Sequence, residues 1–196
     1  MVIIVTGAKG IGKTTVCRKL IKLVRNRGYA CGGILTYKAA DKGIIIEDVQ
    51  TGERENLAST DNIYNGPRTR KYFFNPEGID FGIQAVDKGI SAAILVVDEI
   101  GHLEIRGGGF AKVLELIKAG KAEMCVLVIR RELLPAFLPQ MPATPLVFET
   151  TMNNRDQLPQ EIVSIIEKNV KLSELLIKGG EVASSISHRL YRSSKE

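Results

Sequence analysis

The sequence has little cysteine and histidine. Its three cysteines (Cys17, Cys31 and Cys125) are scattered and form no Cys-x-x-Cys pair, and only His102 and His188 could join them. Disulfide frameworks use an even number of cysteines, and structural zinc sites use closely spaced ligands, so the pattern argues against both. We expect the three cysteines to be small apolar packing residues.

Long hydrophobic runs are also missing. The first apolar stretch, residues 2–5, is far shorter than the core of a signal peptide or a membrane span. The chain has 196 residues, of which 44% are hydrophobic and 25% charged, which is typical of one soluble globular domain. We therefore expect a cytoplasmic protein with no membrane segment, and a monomer.

Acidic residues are absent from the first 30 positions, which carry seven lysines and arginines. The whole chain has a formal net charge of only +5, so this positive excess is local. A local excess favours a small anion such as phosphate over a long polymer. Nucleic acid stays open as a partner but is not favoured.

The chain opens with a pattern of strand, glycine-rich loop and helix. The β-branched run from Val2 to Thr6 predicts a buried parallel strand. From Lys13 onward apolar residues recur at helical spacing, and Gly28 marks the end of that helix. Residues 7–14, with the sequence GAKGIGKT, span the loop after the strand and the first two residues of the helix.

This segment matches the phosphate-binding pattern G-x-x-x-x-G-K-[ST]. Glycines permit backbone conformations that turn N–H groups toward an anion, and the following helix N-terminus adds positive potential. Lys13 is expected to bind the β- and γ-phosphates of a nucleotide and to act in catalysis, while the Thr14 hydroxyl binds Mg²⁺. The predicted loop comprises Gly7, Ala8, Lys9, Gly10, Ile11, Gly12, Lys13, Thr14 and Thr15.

A second acidic motif follows a buried strand. The hydrophobic run 94–97 ends in Asp98 and Glu99, and acids at the carboxyl end of a parallel strand lie at the ligand-binding edge of the sheet. Asp98 is expected to hold Mg²⁺, directly or through water. Glu99 is expected to orient and deprotonate a water that attacks the γ-phosphate.

Two motifs of other nucleotide-binding proteins are missing. The sequence has no [NT]KxD segment for reading guanine, which argues against a dedicated GTPase. It has no LSGGQ-like segment either, which argues against a transporter ATPase.

Strand and helix patterns alternate along the rest of the chain. Residues 32–58 predict a β-meander, and later strands are expected at 93–97, 124–129 and 146–150. The predicted fold class is α/β, with a mostly parallel sheet flanked by helices. We expect one domain over residues 1–178 and a basic, serine-rich tail over 179–196.

Two arginines are further candidates for the site. Phosphoryl transfer needs positive charge near the γ-phosphate oxygens, and Arg130 and Arg131 end the predicted strand 124–129. One of them, with Arg130 preferred, could be a sensor or an internal arginine finger; the alternative is a solvated strand end. Arg155 could lie along the nucleotide base or close the site, and Glu104 could brace the loop after Glu99.

Taken in order, these pieces resemble a known family. They are the phosphate-binding loop with Thr15, the segment GILT at 33–36, the segment DEIGHLE at 98–104, and NRD at 154–156. The chain resembles the THEP-type nucleoside-triphosphatases, the family of the cancer-related nucleoside triphosphatase, over about residues 1–170. The resemblance implies a RecA-like P-loop fold with an added β-hairpin region. It also implies Mg²⁺-dependent hydrolysis of ATP, GTP and other nucleoside triphosphates, with central roles for Lys13, Thr14, Asp98 and Glu99.

Two alternatives remain open at this stage. A small-molecule or nucleotide kinase would share the phosphate-binding loop but needs an acceptor pocket and an arginine-bearing lid, for which residues 68–71 are the only candidate. A nucleotide-dependent switch or RNA-binding module with slow turnover would account for the basic opening segment.

Overall fold

The strands of the chain form one mixed sheet. The computed structural model describes residues 1–40, 42–141 and 144–171. In these residues the sheet has eight strands in the order β5-β4-β3-β2-β6-β7-β1-β8. The strands are β1 (Val2–Thr6), β2 (Cys31–Lys38), β3 (Ile44–Asp48), β4 (Arg54–Ser59), β5 (Phe73–Phe74), β6 (Ile94–Ile100), β7 (Cys125–Ile129) and β8 (Leu146–Glu149).

The sheet has a parallel half and an antiparallel half. Strands β2, β6, β7, β1 and β8 pair in parallel, whereas β3, β4 and β5 continue the sheet antiparallel. The predicted β-meander is therefore confirmed, but its first strand is an integral member of the parallel half. Gly33 permits this pairing, since its φ is +102° and a Cβ there would lie 2.0 Å from the Val96 carbonyl oxygen.

Helices alternate with the strands along the chain. They are α1 (Lys13–Arg25), α2 (Pro76–Gly89), α3 (His102–Ile105), α4 (Ala111–Lys118), α5 (Leu134–Phe137) and α6 (158–171). The predicted start of α2 is confirmed, because the Asn75 side chain accepts a hydrogen bond from the Glu77 N–H at 3.2 Å and Pro76 occupies the first helical position. Strand β5 and helix α3 are too short to have given a periodic signal.

The chain divides into two compact units. One spans Met1–Pro159 and contains the whole sheet; the other begins at Gln160, and its described part is the rest of α6. The domain end expected at 178 and the tail expected over 179–196 lie outside the described residues. That domain layout stays a prediction.

Apolar side chains fill the interior on both faces of the sheet. Residues of β1, β6 and β7 are almost completely buried, and Cys17, Cys31 and Cys125 are buried free thiols, as expected. Burial raises the pKa of Cys125 to about 11. In the described ranges, no three histidine, cysteine, aspartate or glutamate side chains are grouped as a metal site. No helix there is long and apolar enough to cross a membrane.

The strand order brings distant segments to one edge. All parallel strands end at the same edge, and β7 lies between β1 and β6. With about 4.8 Å between neighbouring strands, β1 and β6 end roughly 10 Å apart. The glycine loop after β1, the acids of β6 and the arginine after β7 therefore meet at this edge. The peptide bond between Asp98 and Glu99 is cis.

Candidate active site

The backbone conformation of the loop between β1 and α1 requires glycine at three positions. Gly7, Gly10 and Gly12 have φ angles of +142°, +78° and +111°, which L side chains rarely adopt. Gly12 precedes α1 directly, and the first turn of α1 contains no acidic residue. No carboxylate in the first turn of α1 therefore repels an anion that binds at the positive end of this helix.

The Lys13 side chain folds back over this loop. Its Nζ donates hydrogen bonds to the carbonyl oxygens of Gly7, at 3.1 Å, and Ala8, at 3.0 Å. The residue is buried, and among the described residues no carboxylate forms an ion pair with it. Two of its three donors bond neutral carbonyls, so the positive charge stays available for an anion held in the loop.

Asp98 is a buried carboxylate without an adequate partner. Its side chain is fully buried, and neither carboxylate oxygen has a hydrogen bond of ordinary geometry in the described part of the chain. Burial raises the pKa of Asp98 to about 7; Glu99 raises it further, whereas the nearby Thr14 hydroxyl and Lys13 ammonium lower it. Unpartnered buried oxygens are costly, and oxygen donors suit a hard divalent cation. The donor set of Asp98 and Thr14 therefore fits Mg²⁺.

Glu99 pairs with Arg130. The Arg130 Nε donates to Glu99 Oε1, and the two side chains are only 27% and 24% exposed. Because β6 and β7 are neighbours, two residues that are 31 positions apart in sequence meet at the strand ends. Arg131 pairs instead with Glu149 at 3.0 Å and is well exposed. The structure thus separates the two candidate arginines, and only Arg130 contacts a predicted catalytic residue.

Glu104 braces the segment after Glu99. Its Oε2 accepts a hydrogen bond from the Gly101 N–H at 2.7 Å, and its Oε1 accepts one from the Phe110 N–H at 2.9 Å. The side chain is 9% exposed, and burial raises its pKa. Gly109 has room for no side chain, since a Cβ there would lie 2.3 Å from Glu104 Oε1. One carboxylate thereby fixes both ends of the stretch that contains α3.

We expect Glu104→Ala to lower the free energy of unfolding by about 2–4 kcal/mol, because two largely buried N–H groups lose their acceptor. Chemical denaturation measures this loss. The exposed Glu115 on α4 offers a matched control, and Glu115→Ala should change stability by less than about 0.5 kcal/mol. Equal stabilities of the two variants would show that the bonds of Glu104 contribute nothing.

Arg155 lies beside the phosphate-binding loop. Its Cδ is 3.7 Å from where a Gly12 Cβ would stand, and Arg155 lines a cavity of about 250 Å³ with Gly12, Thr15 and Asp156. The turn that carries it is held by Asn154, whose side chain bonds the Thr151 N–H and the Glu149 carbonyl, both at 2.8 Å. Contact between Arg155 and a nucleotide base stays a prediction.

Some contacts at this edge had no signal in the sequence. The backbone of Thr36, in β2, lies next to Asp98, and the Thr150 carbonyl oxygen approaches Gly7 so closely that a Cβ would lie 2.7 Å from it.

His102 begins α3 and is exposed, although a loop was expected there. Lys9, within the glycine loop, is also exposed.

Comparison with known proteins identifies the family. A family model described as NTPase matches residues 2–163. The chain belongs to the NTPase family. The expected family resemblance is thereby confirmed.

Related NTPases cover nearly the same length. A nucleoside-triphosphatase THEP1 of Methanosarcina acetivorans is 31% identical over 171 residues, which cover 83% of this chain and 94% of the relative. The nucleoside-triphosphatase THEP1 of Pyrococcus abyssi is 29% identical over 170 residues, or 84% of this chain and 91% of the relative.

Two solved structures share the NTPase fold. THEP1 from Aquifex aeolicus superposes with a TM-score of 0.67 at 23% identity, over 85% of this chain and 99% of the other. A human cancer-related nucleoside triphosphatase has a TM-score of 0.69 at 18% identity, over 85% and 97%. The predicted P-loop fold, with its mostly parallel sheet flanked by helices, is confirmed.

Proposed function

We propose that this member of the NTPase family hydrolyses nucleoside triphosphates, including ATP and GTP, to nucleoside diphosphate and phosphate. One observation carries the proposal: a single sheet edge combines an anion-binding loop, an unneutralised Lys13, an unpartnered buried Asp98 and the acid Glu99. The related proteins described above are named nucleoside-triphosphatases, which supports the same reaction here.

In this proposal the substrate binds through its phosphates. The N–H groups of residues 7–15 and the N-terminus of α1 surround the β- and γ-phosphates. Lys13 exchanges its two carbonyl contacts for phosphate oxygens, which are stronger acceptors because they are charged. Since this recognition uses phosphate and not the base, we propose broad tolerance of the four common bases.

Asp98 and Thr14 would hold Mg²⁺. When bound, the metal supplies positive charge against the triphosphate oxygens. Asp98 is suited to this task because its two oxygens have no hydrogen-bond partner of ordinary geometry in the described residues, while the Thr14 hydroxyl lies nearby.

Glu99 would activate the attacking water. Its carboxylate takes a proton from water as the water oxygen bonds to the γ-phosphorus and the bond to the bridging oxygen breaks. Lys13 stabilises the negative charge that develops on the departing diphosphate. Arg130 holds the Glu99 carboxylate in orientation, and we propose that its positive charge also faces the γ-phosphate.

The kinase alternative is less well supported. Its one lid candidate, residues 68–71, precedes β5, which is six strand positions from β1 in the sheet. At about 4.8 Å per strand this is roughly 29 Å from the phosphate-binding loop. We further propose a cytoplasmic monomer with one domain over 1–178.

Release of inorganic phosphate tests the proposal. We expect phosphate from ATP, GTP, CTP and UTP without any added acceptor, and we expect it only with Mg²⁺ or Mn²⁺, because the site offers hard oxygen ligands. Excess chelator should abolish the release, and nucleoside diphosphates should not be hydrolysed. Full activity in chelator would contradict the metal site. Formation of ADP and a phosphorylated acceptor, with no inorganic phosphate released, would favour a kinase.

A further inference from the structure

A second cavity lies away from the catalytic edge residues. It has a volume of about 600 Å³ and is lined by the exposed side of α1 and by strands β2, β3 and β4. None of the residues assigned above to phosphate, metal or water contributes to its lining. A cavity of this volume can hold a ligand larger than a single phosphate ion.

The cavity is strongly positive. Five cations and one carboxylate line it, a net charge of +4: Arg18, Lys22, Arg25, Lys38, Arg54 and Glu47. Glu47 is engaged by Arg54 at 2.6 Å. Arg18 and Lys22 stand one helical turn apart on α1, and neither forms an ion pair with a carboxylate of the described residues. Their charges are therefore available to a ligand.

An aromatic ring lies among these cations. The Tyr37 ring has the Arg18 guanidinium carbon 5.9 Å from its centre and that of Arg54 at 5.3 Å. Burial, followed by the nearby Glu47 carboxylate, raises the pKa of Tyr37 to about 12, so the phenol stays neutral. Aromatic rings and guanidinium planes are the groups on which nucleic-acid bases stack in proteins.

We propose that this cavity binds single-stranded polynucleotide. Arg18, Lys22 and Lys38 contact successive phosphates, while Tyr37 and its guanidinium neighbours stack against a base. A positively charged groove with an interleaved aromatic ring is the arrangement that single-strand binding uses. A lipid surface would instead require exposed apolar side chains at the cavity, and none of the large exposed hydrophobic residues in the described chain lines it.

The cavity shares two elements with the proposed hydrolytic site. Arg18 lies on α1 four positions after Thr14, and Tyr37 follows Thr36, whose backbone lies next to Asp98. An occupant of the cavity therefore contacts both a helix and a strand that build the catalytic edge. The proposal goes beyond nucleotide hydrolysis and does not depend on it.

Fluorescence anisotropy of labelled RNA and DNA strands of about 12 nucleotides tests the proposal. ADP with Mg²⁺ is added to fill the phosphate-binding loop, so that binding there is not counted, and no hydrolysis is needed. We expect Arg18→Gln/Lys22→Gln to weaken binding by at least about tenfold and to reduce the slope of log affinity against log salt by about 1.4, the value for two lost phosphate contacts. Tyr37→Leu should weaken binding about tenfold, and Tyr37→Phe should restore it.

Matched controls make the result decisive. Lys88→Gln/Lys121→Gln removes the same charge from exposed positions outside the cavity and should leave affinity within about twofold. Thermal melting of each variant confirms that it is folded. The proposal is overturned if the control weakens binding as much as Arg18→Gln/Lys22→Gln does. It is also overturned if Tyr37→Phe fails to restore binding, or if inorganic polyphosphate competes as well as RNA at equal phosphate concentration.

Discussion

Replacing Glu99 with glutamine should lower kcat for nucleoside triphosphate hydrolysis by about 10²–10⁴ while leaving affinity for the magnesium nucleotide within a few-fold. Glutamine keeps the size of the side chain and an oxygen that can accept the Arg130 hydrogen bond, but it cannot take a proton from water. Steady-state phosphate release gives kcat, and equilibrium titration with a fluorescent nucleotide gives affinity.

The exposed Glu132, just after β7 at the same edge, provides the matched control. Glu132→Gln should hydrolyse at the parental rate, because this side chain has no part in the proposed chemistry. If Glu99→Gln also hydrolyses at nearly the parental rate, another group orients the water. If its affinity falls as far as its rate, Glu99 is a metal or structural residue, and the proposed role as base is wrong.

Lys13→Ala should remove both binding and turnover. The Lys13 side chain is buried, and its ammonium is held over the glycine loop by the Gly7 and Ala8 carbonyls, so its loss removes a charged contact to the phosphates. A hydrogen bond to a charged group contributes about 1.5–3 kcal/mol, which predicts a loss of about 10- to 150-fold in affinity. Loss of the same charge from the transition state should lower kcat by about 10²–10³ as well.

The fold should survive this change. Within the part of the chain that the structure describes, Lys13 donates two hydrogen bonds, both to neutral carbonyls, and a bond of this kind contributes about 1 kcal/mol. Lys88→Ala, at an exposed position on α2, removes the same charge elsewhere and should leave affinity and kcat unchanged. If Lys13→Ala binds the magnesium nucleotide as well as the parent does, residues 7–15 are not the phosphate site.

The features predicted well from sequence are those encoded within a few consecutive residues. The switch from the β-branched run before Gly7 to helical spacing after Lys13 predicts β1 and α1, and the structure places both there. Asn75 and Pro76 likewise predict the start of α2, because a cap and a first-turn proline act within one turn.

The contacts not predicted depend on long-range pairing. Nothing in the sequence places β7 between β1 and β6, yet this order brings Arg130 onto Glu99. Long-range pairing also distinguishes Arg130 from Arg131. Arg130 contacts Glu99 of β6, whereas Arg131 contacts Glu149 of β8. The parallel pairing of β2 with β6 could not be predicted either, because local patterns predict a strand but not the strand it pairs with.

The residues that line the basic cavity also could not be predicted from the sequence. The sequence reveals the excess of positive charge in the first 30 residues, which favours a small anion such as phosphate. It cannot reveal that Arg18 of α1 and Arg54 of β4 converge on Tyr37 of β2. That arrangement requires the antiparallel half of the sheet to lie next to α1, which only the fold determines.

Hydrolysis of ATP in ¹⁸O-labelled water tests the central claim most directly. If water activated at Glu99 attacks the γ-phosphorus, one labelled oxygen enters each molecule of inorganic phosphate and none enters ADP, as mass spectrometry of both products would show. Label in ADP would mean that water attacks a different phosphorus. If ADP forms only when an acceptor substrate is present, and the γ-phosphoryl group is found on that acceptor and not as inorganic phosphate, the hydrolytic function itself is contradicted.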